Sequence, residues 1–565
     1  MNNIIFKSLL FYIFLFLIKK VNYEIKFLKN RLFNRILYRK KIKSFENFIQ
    51  GNIKFWRTKP RSYSEKKILI CNFISIPGDT IINCIIGKYL EEKYKMTLVG
   101  FCNKKKTVSK LVNSYNIEKN IFLEKKNFFF KIKIFLKSIY FLNKIKTINK
   151  LYQFKLNKVF IGKIVIDHIA RHTGQNLIDH IDFKVFFHFY EALYVHYLFL
   201  NIIKNQNVKI VVHSETQFIP CGIIFQNCLN NKIKLFAREG SPNWISNTIY
   251  SKYDQIYTAT DEIDENLFNF TKKNLQKKAS REGFHIIKNR FNKKDKVNEW
   301  IISTKKNKSK KQTYFSRKEL CKKFSWNEKK KIICIFAHTL ADKNFGLGKR
   351  LFKSNLHWLQ TTLKTIAKNK SVNFLIKPHP QEGDYKTATS TIKEFNKLGA
   401  LQHVKLIPKN ISRISLSKII DVLISSHGTA PVEYACYGIP SLVAGRCKFN
   451  YLDFFILPKK VSIYQRQIMK IQQLKKLKKY QIEDAKIFAY LIYKLIKIRC
   501  PLVPYFKWSD AWFDYNSYFW KVDCLGLLKK YDEKKDYFKQ MLFYQIDNKK
   551  RNMINLKLMN SKIKI

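Results

Sequence analysis

The pattern of apolar and polar positions changes character at Lys66. In "KKILICNFISIPGDTIINCIIGKYLEEKYKMTLVGFC" a continuous apolar run (67–73) leads to a loop with Pro77-Gly78-Asp79, a helical stretch (80–94) and a second apolar run (96–101). Strands that are apolar throughout, rather than alternating, are buried on both faces, which predicts parallel β-α-β units. The order recurs: strand 208–213, a loop with Glu215, helix 219–230, strand 233–237, then Arg238-Glu239-Gly240 and a further strand within 253–262. A second set follows, with strand 331–337, a loop holding His338 and Asp342, a helix near 354–369, and strands 372–377 and 419–425. The predicted fold class is α/β, with two doubly wound Rossmann-like domains at 61–285 and 331–464. Residues 286–330, polar and charge-dense, read as a linker with a short helix; 1–60 form a basic and apolar N-terminal segment, and 465–565 a helical tail.

Length supports this plan, since 565 residues exceed what one core holds. The formal net charge of +68, from 108 Lys+Arg against 40 Asp+Glu, favours an anionic partner. Lys, Asn, Ile and Phe are enriched along the whole chain, however, which is a general bias rather than one basic face. No recognition helix or aromatic RNA motif is visible, so nucleic acid is disfavoured and an anionic substrate or membrane surface preferred. The eleven cysteines contain no C-x-x-C pair, which argues against a disulfide scaffold and zinc and for a reducing, cytoplasmic setting. At the N-terminus the apolar run Leu9–Ile18 is shorter than the ~20 residues that span a bilayer, and lacks a cleavage site. Lys and Arg follow it, as in an anchor lying on the inner face of the cytoplasmic membrane; the alternative is an amphipathic helix packed on the next domain.

Open parallel sheets bind ligands beyond the carboxyl ends of their strands. In "FLIKPHPQEG" the strand must stop at Pro378, and His379 is held on a stiff turn between two prolines beside Lys377. In "DVLISSHGTAPVEYACYGIP" the strand ends in Ser425-Ser426, turns at Gly428 and enters a helix at Thr429 with Glu433 in its first turn. Hydroxyls and free N–H groups there make a phosphate seat, with Lys377 and His379 as its second half and Glu433 suited to a ribose diol. Glu239 faces the role of general base, with Asp342 and Asp79 as rivals, while Asp79, Glu215 and Arg238 are candidates for the acceptor side. No Asp-x-Asp stands at a strand end, so no metal and no cofactor is expected.

"FAHTLADKNFG", "FLIKPHP" and "DVLISSHGTAPVEYACYGIPSLVAG" together resemble the GT-B glycosyltransferases of capsule and surface-carbohydrate biosynthesis, and "IGKIVIDHIARHTGQ" (161–175) is similar to a segment of their N-terminal half. The resemblance covers about residues 160–450. It implies a nucleotide-sugar donor, among them CMP-linked acidic sugars such as Kdo, and a glycan or glycolipid acceptor. His379-Pro380 matches a donor-phosphate histidine, Ser425-Ser426 a later serine pair, and Arg238-Glu239-Gly240 the motif supplying the base, with Arg238 where that family has an acid. Competing expectations are a CDP-glycerol- or ribitol-type polyol-phosphate transferase, a basic nucleic-acid-binding protein, and an inactive carbohydrate protein.

Overall fold

The computed structural model describes residues 35–559, apart from 75, 105, 125–126, 175–177, 240–242, 258–261, 293, 295–311, 343–349, 385–386, 409, 446, 448 and 505–523. The apolar run Leu9–Ile18, Gly240 and most of the basic stretch at 305–312 therefore lie outside the described residues. Among those described, no helix is long and apolar enough to cross a membrane.

Twelve strands form two six-stranded sheets. The first contains β1 (Lys67–Asn72), β2 (Thr97–Cys102), β3 (Asn120–Phe122), β4 (Val208–His213), β5 (Lys234–Glu239) and β6 (Ser246–Tyr250), in the order β3-β2-β1-β4-β5-β6. The second contains β7 (Ile332–Phe336), β8 (Asn373–Lys377), β9 (Val404–Leu406), β10 (Val422–Ser425), β11 (Ser441–Val443) and β12 (Phe455–Ile456), in the order β12-β11-β10-β7-β8-β9. Counted from its own first strand, each sheet has the doubly wound order 3-2-1-4-5-6. All paired strands of the second sheet are parallel. The α/β class and the two Rossmann-like sheets read from the apolar runs are thus present.

The chain divides into two compact units. One comprises the described residues within Met1–Tyr152, Asp179–Ser214 and Cys500–Lys539; the other those within Gln153–Ile178, Glu215–Arg499 and Gln540–Ile565. In the second unit the continuous apolar strands serve two cores. Ile333, Ile335, Phe374, Ile376, Val422 and Ile424 face one core, with Leu356, Leu359 and Tyr464. Ile332, Cys334, Leu375 and Leu423 face the other, with Ala279, Phe291, Phe488 and Leu495. Each such side chain, fully buried, contributes about 1.5–3 kcal/mol. The helix Lys479–Tyr490, placed in the tail by sequence, supplies Ala485 and Phe488 to this core. It lies so close to the helix Glu265–Phe291 that a Cβ on Gly283 would sit 1.9 Å from the carbonyl oxygen of Lys486.

Of the strand expected within 253–262, residues 253–257 form a single 3₁₀ turn and 258–261 lie outside the described residues; the strand that follows β5 is β6, antiparallel to it with Glu239 opposite Ser246. The Gln255 side chain accepts from the N–H groups of Ser251 (2.7 Å) and Lys252 (2.8 Å), and this local alternative ends the strand before Tyr253.

Candidate functional site

The strands β8, β7 and β10 are neighbours, and their last residues fall in one row: Lys377 opposite Phe336, and Phe336 opposite Ser425. β7 and β10 flank the point where the strand order reverses, and crossover helices leave opposite faces there, opening a crevice. A cavity of about 340 Å³ occupies that place. Its walls include Lys377, His379, His338, His427, Gly428 and Thr429 from the strand ends, and Arg290, Arg413 and Glu433 from helices. Three permanent or titratable cations, Arg290, Lys377 and Arg413, face one carboxylate, Glu433. The cavity is therefore built for an anion.

Pro378 ends β8 after Lys377, and the chain turns back at once, with the N–H of Glu382 donating to the carbonyl of His379 (3.0 Å). The N–H of Gln381 donates to Nδ1 of His379 at 3.2 Å. That bond places the ring proton on Nε2, as a donor. Burial, then the neighbouring His338 and Lys377, push the His379 pKa down to about 3, so the ring is neutral near pH 7. A neutral imidazole with Nδ1 occupied can still give one hydrogen bond to a phosphate oxygen.

Lys377 opens on the cavity, with protein packed around the rest of its side chain. Its Nζ lies 5.3 Å from the centre of the Phe336 ring. Burial, with Arg413 adding to it, lowers its pKa to about 8, against the opposing pull of Cys334 and Glu433. A bound anion would restore the charge.

In the serine loop, Ser425 and Thr429 line the cavity while their hydroxyls are engaged within the loop. Ser425 Oγ donates to the carbonyl of His427 (2.8 Å), Ser426 Oγ lies 2.8 Å from His427 Nδ1, and Thr429 Oγ1 donates to Glu433 Oε1 (3.2 Å). These hydroxyls hold the loop in shape, and Ser426 does not line the cavity. Gly428 takes φ +105°, a backbone angle closed to side chains, which lets the chain turn from β10 into the helix Ala430–Ala435. Thr429 is the N-cap residue of that helix rather than part of it.

Glu433 is buried, and its Oε1 also receives Arg290 Nη2 (3.0 Å) and the Tyr493 hydroxyl (3.0 Å). Burial works to raise its pKa, but Arg290, Arg413 and Tyr493 outweigh it and hold the carboxyl below its ordinary value. It lines the cavity as an anion already matched by Arg290.

The remaining candidates do not line this cavity. Asp342 pairs with Arg171 (3.1 Å) of the helix Ile161–Thr173, the same segment singled out in the sequence. Glu239 ends β5, half-buried, with its carbonyl accepting from Ser246 Oγ (3.3 Å); Arg238 beside it is buried. Asp79 is buried in the first turn of the helix Pro77–Tyr94. Glu215 follows β4 and accepts the N–H of Thr216 (2.9 Å). Sequence reasoning missed Arg290 and Arg413. Arg290 stands at the end of the helix Glu265–Phe291, inside the stretch read as linker, and Arg413 opens the helix Arg413–Ile419; only the fold brings them to the strand ends.

No protein-family model and no curated protein matches the chain. Similar solved structures include the β-Kdo 2,4 transferase of Thermosulfurimonas dismutans KpsC, at 9% identity over 51% of this chain and 85% of that one, TM-score 0.29. A glycosyltransferase from Rickettsia africae is 11% identical over 83% of this chain and 100% of the other, TM-score 0.23. UDP-GlcNAc 2-epimerase from Neisseria meningitidis is 11% identical over 75% and 99%, TM-score 0.23. Likeness at this level carries no information about activity.

Proposed function

We propose that the cavity at the ends of β7, β8 and β10 seats the phosphate of a nucleotide-sugar, and that the protein is a GT-B-type glycosyltransferase of surface-carbohydrate biosynthesis. The carrying observation is the alignment of three strand ends at the sheet's switch point around a cavity with three cations and a neutral histidine donor. Charge-assisted hydrogen bonds are worth about 1.5–3 kcal/mol each. Two of them, from Lys377 and Arg413 for example, supply a substantial part of the ~4–8 kcal/mol that millimolar to micromolar binding requires.

In this reading the His379 Nε2–H and the Lys377 ammonium take up the charge that develops on the departing phosphate as an acceptor hydroxyl attacks the anomeric carbon. Glu239 removes the hydroxyl proton. The acceptor is a glycan or glycolipid, and Asp79, Glu215 and Arg238 are candidates for its side. A CMP-linked acidic sugar such as Kdo is the donor to try first, on the sequence resemblance. No metal takes part in the scheme.

The test is incubation of the purified protein with CMP-Kdo, CMP-sialic acid, UDP-sugars and CDP-glycerol, with and without glycan acceptors, following free nucleotide. Release from a nucleotide-sugar that depends on acceptor supports the proposal. Release from CDP-glycerol alone would assign the cavity to polyol-phosphate transfer, and no binding of any nucleotide would remove the proposal.

A further inference from the structure

The helix Phe128–Ile145 is apolar on two faces. One face carries Ile134, Ser138, Leu142 and Ile145 and is buried. On that side Phe130 packs on Tyr194 and Phe135 on Phe186, both from the helix Phe183–Asn205 of the same unit. The other face is exposed. Phe128 (71% exposed), Ile132 (38%), Leu136 (59%) and Tyr140 (53%) recur every fourth residue, and Phe129 (78%) stands beside them. Four-residue spacing places side chains on one stripe of a helix, so these five make a continuous apolar strip. Soluble surfaces rarely keep such a strip uncovered.

The charges around the strip name its occupant. Lys133 and Lys144 are exposed along its edge, and Lys146 is exposed at the C-cap. From Lys125 to Ile166 the sequence contains no Asp or Glu, while lysines recur throughout. Tyr140 at the end of the strip has an aromatic body and a polar tip, with Lys144 Nζ 4.3 Å from its ring centre. Aromatic and aliphatic groups flanked by lysines, with no acid on the helix itself and Glu124 just before its start, match the acyl-to-headgroup boundary of an anionic bilayer. A protein partner of ordinary composition would meet the strip with hydrophobic contact but would leave the run of lysines unanswered. The helix does not qualify as a membrane span, so it would lie in the interface plane.

We infer that the helix Phe128–Ile145 is an interfacial docking element, which holds the protein on anionic lipid surfaces through Phe128, Phe129, Ile132, Leu136 and Tyr140 with its lysines on the headgroups. This rests on the helix alone, and stands or falls separately from the nucleotide cavity and from the N-terminal segment.

The experiment uses the full chain and vesicles of phosphatidylcholine with or without phosphatidylglycerol. A fluorophore is attached through Leu136→Cys; the ten cysteines with described side chains are buried, and unsubstituted protein treated alike gives the background. The expected result is quenching by brominated acyl chains on phosphatidylglycerol vesicles, little on pure phosphatidylcholine, and reversal at high salt. Phe129→Glu/Leu136→Glu should weaken flotation with these vesicles by about tenfold or more. A probe that stays unquenched on vesicles carrying the protein would overturn the inference. So would a probe shielded before lipid is added, which would assign the strip to a second copy or another segment of the chain, or flotation unchanged in the double variant.

Discussion

The imidazole rings of His338 and His427 lie with their centres 3.9 Å apart. His338 follows β7 and His427 follows β10, so the contact joins the loops of the two strands between which the sheet order reverses. His379, after β8, stands 5.4 Å from His338. Three neighbouring strands thus each contribute an imidazole to one rim. His427 Nδ1 is engaged by Arg350 and Ser426, and the His379 ring is neutral near pH 7, so the fixed positive charge of the cavity stands on Lys377, Arg290 and Arg413.

His379→Ala should reduce donor turnover by about 10²–10³-fold, the usual cost of losing one donor to developing charge. The fold should survive, because the ring opens on the cavity and Pro378 and Pro380 still hold the turn. Nucleotide release and thermal unfolding measured on the same sample check both halves. Because the folded pKa is about 3 and the ordinary value 6.5, the ring is neutral throughout the pH range above 6.5. The unfolded chain takes up this proton and the folded one does not as pH falls from 6.5 towards 3, so the residue lowers stability on acidification in that window.

Lys377 titrates in the opposite range. With its pKa lowered to about 8, the empty cavity loses a cation above that pH, and affinity for CMP or UDP should fall as pH rises from 8 to 9.5. Lys377→Arg should flatten that limb, and Lys377→Met should weaken binding at pH 7 and remove the limb. Calorimetry across the range reads both. For stability the sign is reversed: the ordinary lysine value is 10.5, so the cost of burying the charge is fully present below 8 and relieved as pH rises towards 10.5.

Arg290→Met leaves Glu433 buried without its cation and should cost about 3–5 kcal/mol in denaturant unfolding. Arg290→Met/Glu433→Gln should recover much of that loss, since Tyr493 and Thr429 can still donate to the amide oxygen. The double variant leaves the net charge of the cavity unchanged, because it removes a matched pair, so nucleotide binding should fall less than in Lys377→Met.

Glu239→Gln should lower the chemical step by about 10²–10⁴-fold while sparing donor affinity, if this carboxylate is the base. Asp342→Asn should act chiefly through its ion pair with Arg171 and leave the step within a few-fold. Single-turnover kinetics with saturating donor separates the two, and the reverse pattern would move the base to Asp342.

Much of this architecture could be read from the sequence, and the reason is burial. The strands β1, β2, β4, β5, β7, β8 and β10 each carry a buried apolar run, and in β7, β8 and β10 the two faces meet separate cores, so the runs stand out between polar loops. β3, β9, β11 and β12 have only two or three residues each, all but β11 at sheet edges, and leave no run to see. β6 was displaced because Gln255 folds the following segment on itself. At the site, Pro378 and Gly428 mark the strand ends through backbone constraint alone, which a sequence shows directly. Arg290 and Arg413 look like any helix-end arginine until the fold carries them to the cavity, and the hydroxyls of Ser425, Ser426 and Thr429 could not be seen to turn inward on their own loop.

A crystal structure with CMP or UDP shows where the phosphate sits. The expected result is a phosphate in the cavity at the ends of β7, β8 and β10, within hydrogen-bond distance of His379 Nε2 and Lys377 Nζ. A nucleotide seated elsewhere, with both groups away from its phosphates, would contradict it.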